Sequence, residues 1–222
     1  MPKVTDNDFH GDSKVASPSL TLPLEKKMTE FFLPKFPHFL QGHHLTLLSL
    51  PISFSLLFFY YLAQSNINYL WLSSLMIFLQ WFTDTLDGAL GKYRDFGTRR
   101  WGFYMDHLFD YFFLAAVVMG YTFIFDVDSL PLLFLFFVLA TGFMVSVYLD
   151  FGATQLFKIH HFAIGPTEGR IFFIFVNSCI IFGGVDVVQK FLPWMLGILA
   201  LCLAILVCKE QKKLWRRDME EK

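Results

Sequence analysis

The feature that leaves this chain the fewest options is a series of six apolar runs, near residues 44–64, 68–91, 101–125, 131–149, 170–188 and 191–208. Each is close to the roughly 20 residues of helix that a bilayer core demands. In hydrocarbon every backbone N–H and C=O has to be satisfied within the protein, so runs of this length read as helices. Hydrophobic residues fill 55% of the 222 positions, 29 of them Phe, and the mean hydropathy is +0.49. Soluble domains carry a smaller apolar share. The expected fold is all-α: a polytopic membrane protein with six transmembrane helices. Pro51 lies inside the first run, where neighbouring helices can satisfy the carbonyl it frees. A turn near Gln189-Lys190 is expected to part the last two runs, and neither an internal repeat nor a second domain is visible.

The flanks follow a different pattern. Residues 1–20 are rich in Asp, Ser, Lys and Gly and lack the apolar stretch of a cleavable signal peptide, so they are expected to start disordered. From Leu24 onward, Leu24, Met28, Phe31 and Phe32 recur at helical spacing opposite Lys26, Lys27 and Glu30. That spacing predicts a short amphipathic helix on the membrane surface, ended by Pro34 and Pro37. The domain scheme is a 1–43 cytosolic segment with this juxtamembrane helix, a 44–208 transmembrane domain holding the functional site, and a 209–222 basic cytosolic tail. Basic residues cluster before the first run, in the 92–100 loop and after position 208, whereas the opposite loops carry only Lys190 with Asp126, Asp128 and Asp186. The positive-inside rule therefore puts both termini and the 92–100 loop in the cytoplasm. Cys179, Cys202 and Cys208 sit in apolar runs without a CxxC pair, which favours buried thiols over disulfides or a zinc site.

Within this apolar frame stand four carboxylates, Asp84, Asp87, Asp106 and Asp110. Ionisable residues at membrane depth mark function by default. Residues three or four apart share a helix face, so Asp84 and Asp87 are neighbours near the end of the second span, and Asp106 and Asp110 near the start of the third. The short intervening loop predicts that the two helices are antiparallel partners with both pairs facing one gap. Four carboxylates so close repel one another and stay ionised together only with cations nearby. Hard divalent ions suit an all-oxygen set, and two ions of Mg²⁺ or Mn²⁺ would balance four charges. Such a pair is the usual clamp for phosphoryl chemistry. Gly88, Gly91 and Gly102 clear side chains where a phosphate-bearing ligand would approach, and Lys92, Arg94, Arg99 and Arg100 put positive charge at the mouth.

The spacing Asp84-x2-Asp87-Gly88-x2-Gly91-Lys92-x9-Gly102-x3-Asp106-x3-Asp110 resembles the signature of the CDP-alcohol phosphotransferase family, D-x2-D-G-x2-A-R-x8/9-G-x3-D-x3-D. The departure is Gly91-Lys92 in place of Ala-Arg. Lys lacks the bidentate fork of Arg, and Arg94 is the nearby candidate to replace it. His43-His44-Leu45-Thr46 looks like the family's Asn-x-Leu-Thr opening, with His43 for Asn. Asp106-His107-x2-Asp110 and Gly165-Pro166-Thr167-Glu168-Gly169 are closer to the choline/ethanolamine phosphotransferase branch. The resemblance implies a phospholipid-synthesis enzyme that moves a phospho-alcohol or phosphatidyl group from a CDP-linked donor to an alcohol or lipid acceptor, releasing CMP. By position, Asp84, Asp87 and Asp106 would hold the metal ions, with Asp110 completing the second site and taking the proton of the attacking hydroxyl. Gly88, Gly91, Lys92 and Gly102 would line the nucleotide and diphosphate site. Membrane lipids are partners, nucleic acid is not, a homodimer is common in the family, and either a bacterial inner membrane or the endoplasmic reticulum fits.

Plainer readings stand beside these. His107 points about 100° away from Asp106 on a helix, which suits a polar interhelical contact. Glu168 and Arg170 suit an interfacial ion pair or a substrate head group, His160 and His161 a loop, and the Phe stripes lipid-facing packing. Two other functions compete. A membrane prenyltransferase also sets paired aspartates against a metal-diphosphate, but on well-separated helices. A divalent-cation carrier would spread charge through several helices, often with repeat symmetry, whereas the 131–149 run has none.

Overall fold

The computed structural model describes residues 21–95, 97–154 and 165–220. The N-terminal stretch 1–20, Lys158, His160 and His161 lie outside the described residues. Every regular element inside them is helical: α1 (Leu22–Phe32), α2 (Gly42–Ala63), α3 (Leu70–Tyr93), α4 (Arg99–Thr122), α5 (Leu130–Thr154), α6 (Pro166–Gly183) and α7 (Val185–Glu220), with single 3₁₀ turns before α3 and α5 and after α1. The expected all-α class holds. By length and apolarity α2, α5 with the turn before it, and α7 are each able to cross a membrane. The other long helices carry the charges discussed below.

Two sequence expectations about chain path change. The break between the last two runs falls at Gly184 rather than at Gln189-Lys190. There the backbone takes a positive φ of 87° and the Gly184 N–H closes α6 on the Ile180 carbonyl, a conformation that favours glycine. Past that turn α7 is continuous over 36 residues, so the basic stretch after 208 is helix up to Glu220. The second change concerns α3 and α4, which were expected to pack as partners. They touch little, and both pack mainly on α2, while α6 packs on α3 and α7 on α5 and α6. The short 94–98 loop brings only their ends together. Close approach to α2 is set instead by one glycine at each contact, Gly42 of α2 against α3 and Gly120 of α4 against α2. A Cβ on Gly42 would lie 2.5 Å from the Asp87 carbonyl and 3.2 Å from the Gly91 Cα, and one on Gly120 would run into the Tyr60 ring.

The main core is apolar, built from residues such as Leu56, Ile77, Val117, Phe173 and Leu196. A second, smaller cluster of Leu45, Leu86 and Leu90 is covered by Met28, Phe32 and Leu33, with the Phe32 ring edge-on to Phe82 at 5.1 Å. This cluster seats α1, the predicted amphipathic helix, whose Leu24 and Phe31 stay exposed. Alongside that apolar contact, Thr167 Oγ1 donates to Glu25 Oε1 at 2.7 Å, and Thr21 Oγ1 lies 3.0 Å from Glu25 Oε1 and 3.3 Å from Glu168 Oε1. Helix α1 is therefore fastened to the start of α6 as well as to α3. The outward faces of the bundle are greasy: Phe54, Phe134, Phe182, Trp194 and Ile198 are all more than half exposed.

Candidate active site

The four aspartates converge, although α3 and α4 do not pack side by side. Asp84 and Asp87 stand one turn apart on α3, and Asp106 and Asp110 one turn apart on α4. Asp106 has Asp84, Asp110 and Asp87 as electrostatic neighbours, and Asp87 has Asp84 and Asp110. Side-chain exposure is graded: Asp87 is buried, while Asp84, Asp110 and Asp106 keep 19%, 22% and 32% of their surface. The cluster thus opens toward Asp106 and closes toward Asp87.

Two other helices supply donors to these carboxylates. The buried Thr46 of α2 gives its hydroxyl proton to Asp87 Oδ2 at 2.6 Å, and the Gly88 backbone N–H donates to Asp87 Oδ1. Asp87 is thereby satisfied by neutral groups, as a buried carboxylate must be. Arg170 enters from α6, with 4% of its side chain exposed. Its Nη1 donates to Asp84 Oδ2 at 2.9 Å and its Nη2 to Asp110 Oδ1 at 2.5 Å. One guanidinium therefore ties a carboxylate of α3 to a carboxylate of α4, and its Cζ stands 5.6 Å from the centre of the Phe113 ring. An interfacial pair of Arg170 with Glu168 was one sequence expectation. Residues two apart on a helix point nearly opposite ways, and here Arg170 turns inward while Glu168 Oε2 accepts the Gly165 N–H at 2.8 Å.

The remaining predicted residues take varied positions. A Cβ added at Gly88, Gly91 or Gly102 meets nothing within 4 Å, so these glycines border open space beside the cluster. Lys92 is exposed. Arg94, the candidate replacement for the motif arginine, is committed elsewhere. Its guanidinium donates to the carbonyls of Phe36, Pro37 and His38 at 3.0, 3.0 and 2.6 Å, fastening the α1–α2 linker to the end of α3. His107 Nδ1 lies 2.7 Å from the Phe103 carbonyl and 3.5 Å from Asp106 Oδ2, with its ring 5.5 Å from that of Tyr148 on α5. Its polar contacts stay within α4, and its contact with another helix is between rings, so the polar interhelical contact expected of it is not what these distances give.

Sequence reading passed over Thr46 and Gly42 as site residues, and saw Arg170 without its partners. Thr46 had a signal, since it closes the His-x-Leu-Thr stretch, and Arg170 had one in being a charge opening an apolar run. Gly42 had none, because a close approach between helices is invisible until both are placed. The donor set suits hard divalent ions, being four carboxylates without a thiol. Its arrangement is a different matter: among the described residues no three His, Cys, Asp or Glu side chains surround a point that could hold a metal ion. Thr46 holds Asp87, and Arg170 holds Asp84 and Asp110.

Compared with known families, residues 42–206 match the model described as CDP-alcohol phosphatidyltransferase. That span opens at Gly42, takes in all four aspartates and Arg170, and ends within α7. No curated protein and no solved structure matches the chain.

Proposed function

The chain belongs to the CDP-alcohol phosphatidyltransferase family, and from that premise we propose that it transfers a phospho-alcohol or phosphatidyl group from a CDP-linked donor to an alcohol or lipid acceptor, releasing CMP. The observation that carries this reading is the convergence of Asp84, Asp87, Asp106 and Asp110 beside three side-chain-free glycines within the matched span. The donor diphosphate would lie against Gly88, Gly91 and Gly102, with Lys92 at the mouth attracting its negative charge. Asp84, Asp87 and Asp106, with Asp110 completing the set, would hold two divalent ions, Mg²⁺ or Mn²⁺, whose charge offsets that building on the departing CMP. The acceptor oxygen forms a bond to the donor phosphorus that carries the transferred group, and the bond from that phosphorus to the CMP oxygen breaks. Asp110 takes the hydroxyl proton in this scheme. To do so through Oδ1 it has to leave the hydrogen bond from Arg170, which occupies that oxygen at 2.5 Å.

The membrane arrangement belongs to the same proposal. Helices α2 to α7 would be the six spans, with α1 at the surface and both termini cytoplasmic. Support comes from the apolarity of α2, α5 and α7 and from the exposed Phe and Trp side chains around the bundle. The family branch nearest choline and ethanolamine phosphotransferases would imply a CDP-aminoalcohol donor. Purified protein given a panel of CDP-alcohols and CDP-diacylglycerol, with and without Mg²⁺, should release CMP with one donor class and only with the ion. No release from any donor would overturn the reading. For topology, single cysteines replacing Asp95 and Asp126 should be labelled from opposite sides of sealed membranes. Labelling of both from one side would end the six-span scheme.

A further inference from the structure

We propose that Arg170 is a built-in counter-ion that competes with divalent cations for Asp84 and Asp110, so that loading the site with metal requires the guanidinium to withdraw. The inference rests on the functional reading above for its metal, and on the geometry of α6 for everything else.

Arg170 is 4% exposed and reaches two carboxylates that lie 86 and 60 positions away in the chain, on two different helices. A guanidinium cannot shed its charge at any ordinary pH, so a buried one has to be paired. With one arm on each carboxylate, it is the cation that Asp84 and Asp110 now share. A divalent ion would need the same two groups. Mg²⁺ takes oxygens at about 2.0–2.1 Å in near-octahedral geometry, and Arg170 already holds Asp84 Oδ2 and Asp110 Oδ1. If an ion instead took the outer oxygens, it would stand within one carboxylate's width of a fixed positive charge. Like charges at such range repel each other. Either way, metal binding and the Arg170 pairs oppose each other. The competition has a second consequence for the same site. While Arg170 holds Asp110, that carboxylate is withheld from proton transfer, so release of the guanidinium would load the metal and free the base in one movement.

The test uses Mn²⁺ as the probe, with free ion counted by electron paramagnetic resonance in solutions of the purified full-length protein. Arg170→Gln keeps two hydrogen-bonding atoms and removes the charge; Arg170→Lys keeps the charge and removes the fork. Arg170→Gln is expected to bind Mn²⁺ at least about tenfold more tightly than wild type. It is also expected to melt at a lower temperature without the ion and to gain more from adding it. Arg170→Lys should bind with intermediate affinity, and it supplies the comparison if the Gln variant folds only with Mn²⁺ present, a result that itself supports the proposal. Unchanged or weaker Mn²⁺ binding in a helical, monodisperse variant would overturn the competition and leave the transferase reading standing. Failure of both wild type and variants to bind Mn²⁺ would overturn the metal-dependent reading, and the competition with it.

Discussion

The carboxylate cluster and a second polar cluster, deeper in the bundle, draw on the same four helices. In the second, Tyr60 of α2 and Tyr121 of α4 donate to Asn177 Oδ1 of α6 at 2.9 and 3.0 Å, and Asn177 Nδ2 donates to Ser74 Oγ of α3 at 3.1 Å. All four residues are buried, and each is hydrogen-bonded to another of the set. The site layer has the same parentage, Thr46, Asp84 with Asp87, Asp106 with Asp110, and Arg170, but it is charged, partly exposed and acidic in excess. Satisfied neutral networks fix one arrangement of helices. A cluster of four carboxyls and one guanidinium has more than one way to be neutralised, so it is suited to changing partners. The difference teaches where rigidity and reactivity are divided in a bundle: one layer holds the helices in register so that the other need not.

That division can be broken from either side. The largest effect is expected from Asp84→Ala, Asp87→Ala or Asp106→Ala, each of which should abolish transfer and remove thermal stabilisation by Mg²⁺ or Mn²⁺. A ligand at a hundredfold excess over its Kd adds about 2.7 kcal/mol to folded stability, a shift readily seen in a melting curve. Retention of the full metal-induced shift in all three variants would show that these carboxylates bind no ion. Next comes Asp110→Asn, which preserves shape and one ligand oxygen but accepts no proton. Transfer should fall by at least roughly a hundredfold with donor binding little changed, and near-normal turnover at saturating acceptor would remove Asp110 from the mechanism.

On the neutral side the expectations are about stability. Asn177→Leu strands two tyrosine hydroxyls and a serine, and should lower stability by about 2–4 kcal/mol, while turnover measured well below the melting temperature stays near wild type. A loss of turnover without a loss of stability would mean that the two layers are not separable. The smallest effect is expected from Tyr60→Phe, about 1 kcal/mol, since Tyr121 still serves the same acceptor. Equal losses from Tyr60→Phe and Asn177→Leu would deny Asn177 its central place.

How much of this could be read from residues alone depended on range. The helices and their approximate bounds follow from runs of like residues, and Asp84/Asp87 and Asp106/Asp110 pair by local spacing, so both were legible. The α2 wedge between α3 and α4 was not, because it depends on Gly42 and Gly120 meeting atoms far away in the chain. The partners of Arg170 were hidden for the same reason: its charge was visible, but Asp84 and Asp110 come to it only through the packing of α6 on α3. Arg94 shows the opposite hazard. Its place near a phosphate-binding motif suggested chemistry, yet three backbone carbonyls of the α1–α2 linker have claimed it.

One further consequence concerns the length of α7. Its 36 residues make a rod of about 54 Å, whereas a bilayer's hydrocarbon layer is about 30 Å thick. The excess is charged, and its near end is held to the bundle by Lys213 Nζ, 3.7 Å from the buried Asp150 and 3.0 Å from Glu210. A folded partner spliced in helical register onto Glu220 would therefore turn with the bundle instead of swinging on a tether. For a chain of 25.8 kDa, nearly featureless once wrapped in detergent, such a handle is the external landmark that aligning particle images requires.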